Sequence, residues 1–346
     1  MRKLVHGLHH ITLVANNYGV NYRFYTGVLG LKQVKLSVNQ DDVFHRHAFY
    51  ANPDRPTGSA ITFFEWPGLP RGRAGLGAPH HLAYRVRSVE SLARWFTWLK
   101  ERGVRVKGPY AYNGLVSLYF HDPDGVLLEI ATLDEGFEAD YLRDVFENAS
   151  TPSVVDEGMK LAWFDHATPV ALNAGVLKRF LEKFLELSGL ETVKDDQGRV
   201  WLTVKDEEGV YLRYIIDPNA EYGYVGRGSI HHIAVAVESE EEQRTVLRRL
   251  NMASVVNSGI VDRFWFRSLY FRDPFGNLLE VATMGPGYNV DEPRESMGSR
   301  LVLPPWLEPI RAEVEARLAE QDSANTSSWP PEFSEVPDDP ETFSTR

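Results

Sequence analysis

The 346-residue sequence contains no cysteine. Disulfides, thiolate nucleophiles, cysteine-ligated zinc and iron–sulfur clusters are thereby excluded. No run approaches the roughly 18 consecutive apolar residues of a membrane-spanning helix, so no membrane partner is expected. The N-terminal MRKLVHGLHH lacks the apolar centre of a secretory leader, which favours a cytoplasmic location. Positive charge is scarce: 37 Lys and Arg against 48 Asp and Glu leave a formal charge of −11. A nucleic-acid surface needs a basic stripe, so that partner class is set aside. What remains is 43% hydrophobic, 12% aromatic and 25% charged, a globular composition that argues against wholesale disorder. At this length two domains are the prior expectation.

The chain repeats itself. Residues 80–133 hold HHLAYRV and then SLYFHDPDGVLLEIATL; residues 231–284 hold HHIAVAV and then SLYFRDPFGNLLEVATM. The interval from His81 to Glu129 equals that from His232 to Glu280, 48 residues. One weaker copy comes before each of these, starting with HHITLVANN near Leu8 and DHATPVAL near Asp165. Each copy opens with alternating apolar residues, a strand signal. A helical stretch follows, such as VESLARWFTWLKERG, and then strands joined by tight turns. Asp122-Pro123-Asp124-Gly125 and Asp273-Pro274-Phe275-Gly276 are such turns: Pro presets φ and Gly supplies positive φ. The expected fold is α+β, with four βαβββ modules. The half-repeat predicts an N-terminal domain over 1–135, a linker over 136–160 with a short helix, and a C-terminal domain over 161–290. Residues 291–346 are expected to form one helix within PPWLEPIRAEVEARLAEQ and then a mobile or surface-wrapping acidic tail from about 322 that buries little area.

Seven of the eleven histidines sit at module starts: His9, His10, His80, His81, His166, His231 and His232. Neutral imidazole is the commonest metal ligand. Glu129 and Glu280 recur in register with these histidines, flanked by apolar residues. There a carboxylate must be paired or metal-bound; a buried salt bridge is the competing reading. Two histidines and a carboxylate on one face of a metal suit Fe(II) and dioxygen, and the same donors suit Mn(II), Zn(II) or Ni(II). Alternation along a strand lets only one histidine of each doublet face a given cavity.

On these motifs the sequence resembles the vicinal oxygen chelate superfamily, also called glyoxalase/bleomycin resistance/dioxygenase, over residues 5–284. That resemblance implies two open sheets of paired half-barrels. GLHHIT, FYTGVLGL, SLYFRDPFGNLLEVAT and LPPWLE further resemble the two-domain dioxygenases that open para-hydroquinones. The resemblance implies His10, His232 and Glu280 as iron ligands. It also implies Tyr270, Arg263 and His231 as catalytic neighbours, and His9 and Thr12 as substrate-cavity positions. Thr12 shares the face of His10, two residues away. His9 and His231 are expected by alternation to face away, and enter only through the resemblance. For Arg263 a surface hairpin charge, and for Tyr270 core packing, are the competing readings.

The modules also supply a possible second set, His81, Glu129 and His166. If module 1 pairs with 4, the sets are His10/His232/Glu280 and His166/His81/Glu129. If 1 pairs with 2, they are His10/His81/Glu129 and His166/His232/Glu280, as in catechol-cleaving relatives. The hydroquinone-type resemblance favours the first. Tyr112 stands in module 2 where Arg263 stands in module 4, so the second set is expected to be vestigial or structural. The expected function is Fe(II)-dependent ring cleavage of a small hydroquinone- or catechol-type aromatic by O2. A glyoxalase-type metal-dependent lyase or isomerase, or a non-catalytic binder of aromatic compounds, is the alternative. A homo-oligomer is compatible with each.

Overall fold

The computed structural model describes residues 4–112, 114–195, 197–206, 209–325 and 328–341. It contains the four expected modules. Module 1 is β1 (Leu8–Ala15), α1 (Tyr18–Tyr22), β2 (Lys32–Asn39), β3 (Asp42–Ala51) and β4 (Ala60–Glu65). Module 2 is β5 (His81–Arg85), α2 (Val89–Glu101), β6 (Val106–Tyr112), β7 (Leu115–His121) and β8 (Leu127–Leu133). The short linker helix α3 covers Ala139–Glu147. Module 3 is β9 (Trp163–Thr168), the two-residue β10 (Val170–Ala171), α4 (Ala174–Leu185), β11 (Leu190–Lys194), β12 (Val200–Asp206) and β13 (Gly209–Ile216). Module 4 is β14 (Ile230–Val237), α5 (Glu240–Met252), β15 (Asn257–Asp262), β16 (Phe266–Arg272) and β17 (Leu278–Pro286). Helix α6 spans Arg311–Ala324. No helix among the described residues is long and apolar enough to cross a membrane.

Local sequence explains the elements. In α2 the Ser88 side chain accepts the Ser91 N–H, while Leu92, Trp95 and Leu99 fall on one buried stripe. In α5 Ser239 and Glu242 form a reciprocal capping box, and Glu240, Glu241 and Glu242 sit in the first turn, where the helix dipole favours them. In the turn after β7 one oxygen of Asp122 accepts the N–H groups of Asp124, Gly125 and Val126. Asp273 does the same for Phe275 and Asn277 after β16.

The strands assemble into two curled sheets. One runs β15-β16-β17-β14-β1-β4-β3-β2 and the other β11-β12-β13-β9-β5-β8-β7-β6. Each sheet closes at an antiparallel seam, β1 with β14 and β5 with β9. Module 1 thus pairs with module 4, and module 2 with module 3. Each sheet draws one module from 1–135 and one from 161–290, so neither half of the chain is a sheet by itself. Between the sheets lies a continuous core that includes Leu13, Phe24, Tyr84, Trp95 and Leu269.

Gly228 joins the sheets. Its φ is +71, and a Cβ there would lie 2.1 Å from the carbonyl oxygen of Asp124 in the module 2 turn. We expect Gly228→Ala to cost about 2–3 kcal/mol through strain and displacement of that turn. An unchanged urea midpoint would contradict this.

Of the two forms expected for the acidic tail, the described part takes the surface-wrapping one, and the expectations of mobility and of little buried area are corrected. Of that segment, residues 326–327 and 342–346 lie outside the described residues. Residues 328–341 pack on the body, burying Phe333, Val336 and Glu341. Phe333 lies against Phe24, and Val336 joins Tyr119 and Leu127. Arg105, Lys107 and Arg199 pair with Glu335, Asp338 and Asp339. Trp329, Phe333 and Val336 stand at helical spacing, but Pro330, Pro331 and Pro337 forbid a helix, so the pattern by itself does not tell a buried segment from a solvated one.

Candidate metal centre

At the β1–β14 seam His10, His232 and Glu280 converge, all buried. His232 Nε2 lies 2.9 Å and His10 Nε2 3.3 Å from Glu280 Oε2, and the two nitrogens are 3.4 Å apart. Yet Glu280 Oε2 is buried without a hydrogen bond, while Oε1 accepts from the Ser268 hydroxyl at 2.5 Å. Three donor atoms gathered this closely in a buried pocket fit an ion. Ligands about 2.1 Å from a metal and roughly at right angles sit about 3.0 Å apart. The three donors occupy one side, as two-histidine, one-carboxylate sites do. Burial opposes the charge on Glu280, but the His10 and His232 imidazoles outweigh it and hold the carboxyl well below its usual range.

Each candidate ligand imidazole is aimed by the residue before it. His9 Nδ1 lies 2.9 Å from His10 Nδ1, and His231 Nδ1 2.8 Å from His232 Nδ1. Such a partner on Nδ1 leaves Nε2 for a metal. Two bulges make this possible. Along the seam the register passes from Leu8↔Val235 to His10↔Ala234, and from Thr12↔His232 to Leu13↔Ile230. His9 and His231 are the extra residues, and the alternation expected from sequence breaks there. The outward orientation expected for His231 is therefore corrected: it lines the cavity beside the ligands. Burial and neighbouring His232 lower its pKa to about 3, so its imidazole is neutral.

The cavity over the ligands measures about 330 Å³. Aromatic side chains, among them Phe49, Phe64, Trp66, Trp265 and Phe266, form its walls. Tyr270 and Arg263 line it as well. The Arg263 guanidinium lies over the Tyr270 ring, 5.5 Å from its centre, and is held by both oxygens of Asp41 at 2.6 and 3.1 Å. Burial, then the Glu280 charge, raise the Tyr270 pKa and keep the hydroxyl protonated.

His9 and Thr12 stand behind the wall rather than in it. The buried His9 ring lies between His10 and Phe266, and burial, then neighbouring His10, lower its pKa to about 3. Thr12 meets the Thr62 hydroxyl at 2.8 Å, and Thr62 in turn meets His47 Nε2 at 2.8 Å. Thr12 thus reaches the cavity only through His47, a lining residue that the sequence reading missed. The repeat gives no sign of His47 because Trp201 holds the matching register in module 3. Its only local signal is the alternation of His47 and Phe49 in β3.

At the β5–β9 seam His81, Glu129 and His166 form the second cluster, also buried. The sequence reading did not find Arg213 and Glu341, which are buried against it.

Residues 7–130 match the family model described as Glyoxalase/Bleomycin resistance protein/Dioxygenase superfamily. The chain is 33% identical over 320 residues to the Bacillus subtilis protein named "Putative ring-cleaving dioxygenase MhqA", covering 91% of this chain and 98% of that one. It is 26% identical over 333 residues to the chlorohydroquinone/hydroquinone 1,2-dioxygenase of Sphingobium indicum, covering 90% and 95%. Among solved structures, a Bacillus subtilis protein described as a "putative dioxygenase" superposes with a TM-score of 0.78 at 30% identity, covering 92% of this chain and 97% of that one. Glyoxalase I from Zea mays shares the fold, with a TM-score of 0.56 at 15% identity, covering 80% and 92%.

Proposed function

The chain belongs to the glyoxalase/bleomycin resistance protein/dioxygenase superfamily, and from that premise we propose that it is an Fe(II)-dependent dioxygenase that opens the ring of a hydroquinone-type aromatic. The observation that carries this reading is the unbonded carboxylate oxygen of Glu280. It sits between two Nε2 atoms at the floor of an aromatic-walled cavity. His10, His232 and Glu280 hold the metal, and Fe(II) bound there supplies the redox chemistry between a phenol and dioxygen.

The other residues bind, orient and move protons. The aromatic walls exclude water and take a single ring, for which about 330 Å³ gives room. Arg263, its own charge balanced by Asp41, holds an anionic oxygen of the substrate. Tyr270 donates its hydroxyl proton to a substrate oxygen, and the neutral His231 accepts or returns one. His9 and Thr12 are positioning residues, acting through His10 and His47. Cleavage beside a hydroxylated carbon places both oxygen atoms of O2 in the product. A hydroquinone with an unsubstituted neighbouring carbon gives a carboxylic acid and an aldehyde.

Anaerobic loading with Fe(II), followed by oxygen uptake on a panel of hydroquinones and catechols, tests this. The expected result is one O2 consumed per hydroquinone opened. Zinc or nickel in the active protein, with no oxygen uptake, would make it a lyase or isomerase instead. Tyr270→Phe and Arg263→Ala are expected to keep the metal and lose activity by roughly 10–100-fold, as outer-sphere changes do. Parent turnover in both would remove these residues from the mechanism.

A further inference from the structure

The second cluster repeats the first in register but not in chemistry. His166 is bulged into place as His10 and His232 are: the register passes from Ala83↔His166 to Tyr84↔Phe164, leaving Asp165 extra. Asp165 lies 2.6 Å from His166 Nδ1, where a histidine serves in the other modules. Ser117 donates to Glu129 at 2.5 Å as Ser268 does to Glu280. Two features then differ. Glu129 Oε2 is hydrogen-bonded to His81 Nε2 at 3.1 Å, whereas Glu280 Oε2 has no such bond. And a buried arginine stands in the second cluster. Thr12 pairs with Thr62 in the first sheet, and Ala167 pairs with Leu212 in the second. That places Arg213 at the register of Thr62.

Arg213 Nη1 lies 3.5 Å from His166 Nε2, the atom that would have to bind a metal. A guanidinium there sets a fixed positive charge against any incoming cation. Arg213 Nη2 reaches Glu341 Oε2 at 3.0 Å, and the Tyr119 hydroxyl donates to the other Glu341 oxygen. Tyr119 holds the repeat position of Tyr270, which in the first cluster faces the open cavity. The tail carboxylate therefore fills the space that a substrate has in the first cluster.

We propose that the second His–His–Glu cluster is a carboxylate receptor that excludes divalent metal, and that its ligand is Glu341 of the chain's own C-terminal segment. Arg213 takes the place of the ion, and Glu341 is its counter-charge. This assignment is independent of the reaction at the first cluster.

Metal counting on the full-length chain tests it. After stripping and equilibrium dialysis against Co(II), the parent is expected to bind one ion per chain. His166→Ala should still bind one, and Glu280→Ala none. Two ions in the parent, falling to one in His166→Ala, would overturn the proposal. Arg213→Thr gives the second cluster the residue of the first and should raise the count to two. A folded Arg213→Thr that still binds one ion would refute the role given to Arg213; should it not fold, the parent and His166→Ala counts decide. The receptor half has its own readout. Glu341→Ala should melt at a lower temperature than the parent and regain part of the loss in millimolar acetate, with no such response in the parent. The same acetate response in parent and variant, or none in either, would overturn it.

Discussion

Glu280→Ala is expected to abolish metal binding at the first cluster and turnover with it. The carboxylate is one of three protein donors, and two imidazoles by themselves cannot complete the site. The loss should exceed the roughly 10–100-fold typical of outer-sphere changes. The fold should survive, because the substitution removes the buried carboxylate itself, and the Ser268 hydroxyl loses one hydrogen bond. Metal content by plasma emission, read beside circular dichroism, separates these effects. Iron content and oxygen uptake at the parent level in the purified variant would remove Glu280 from the site and leave its unbonded oxygen unexplained.

Removing residues 328–346 should destabilise the protein strongly, although the segment is rich in proline, serine and acid. It strips Arg213, a fully buried cation, of Glu341. Breaking a buried pair by removing one partner costs about 3–5 kcal/mol. It also uncovers the apolar ground beneath Phe333 and Val336. Together these should lower the melting temperature by roughly 5 °C or more. Arg213→Met in the truncated chain should recover part of this, since a buried ion without a partner is then gone. A truncated chain that melts with the parent would show that the segment contributes nothing to the body.

The sequence alone determined the modules and singled out the residues proposed as donors. Strict spacing from His81 to Glu129 and from His232 to Glu280 marks strands that enter and leave the same turn-linked unit, because strand length and turn chemistry are local properties. Histidine before an apolar strand and glutamate inside one are costly local choices, so they single out the candidate donors without any knowledge of contacts. Tertiary structure decided the rest. Modules 1 and 4 share a seam, and 2 and 3 share the other; the two possible pairings bury similar strands, and no local pattern separates them. The bulges at His9 and His231 depend on the partner strand, so a reading based on alternation turned His231 away from a cavity it lines. His47 reaches that cavity from a third strand through Thr62, a contact that no repeat records. Arg213 and Glu341 are 128 residues apart and meet inside the second cluster. An ion pair between segments so far apart in sequence leaves no trace in composition or periodicity. It exists because the fold buries one charge and must bring another to it.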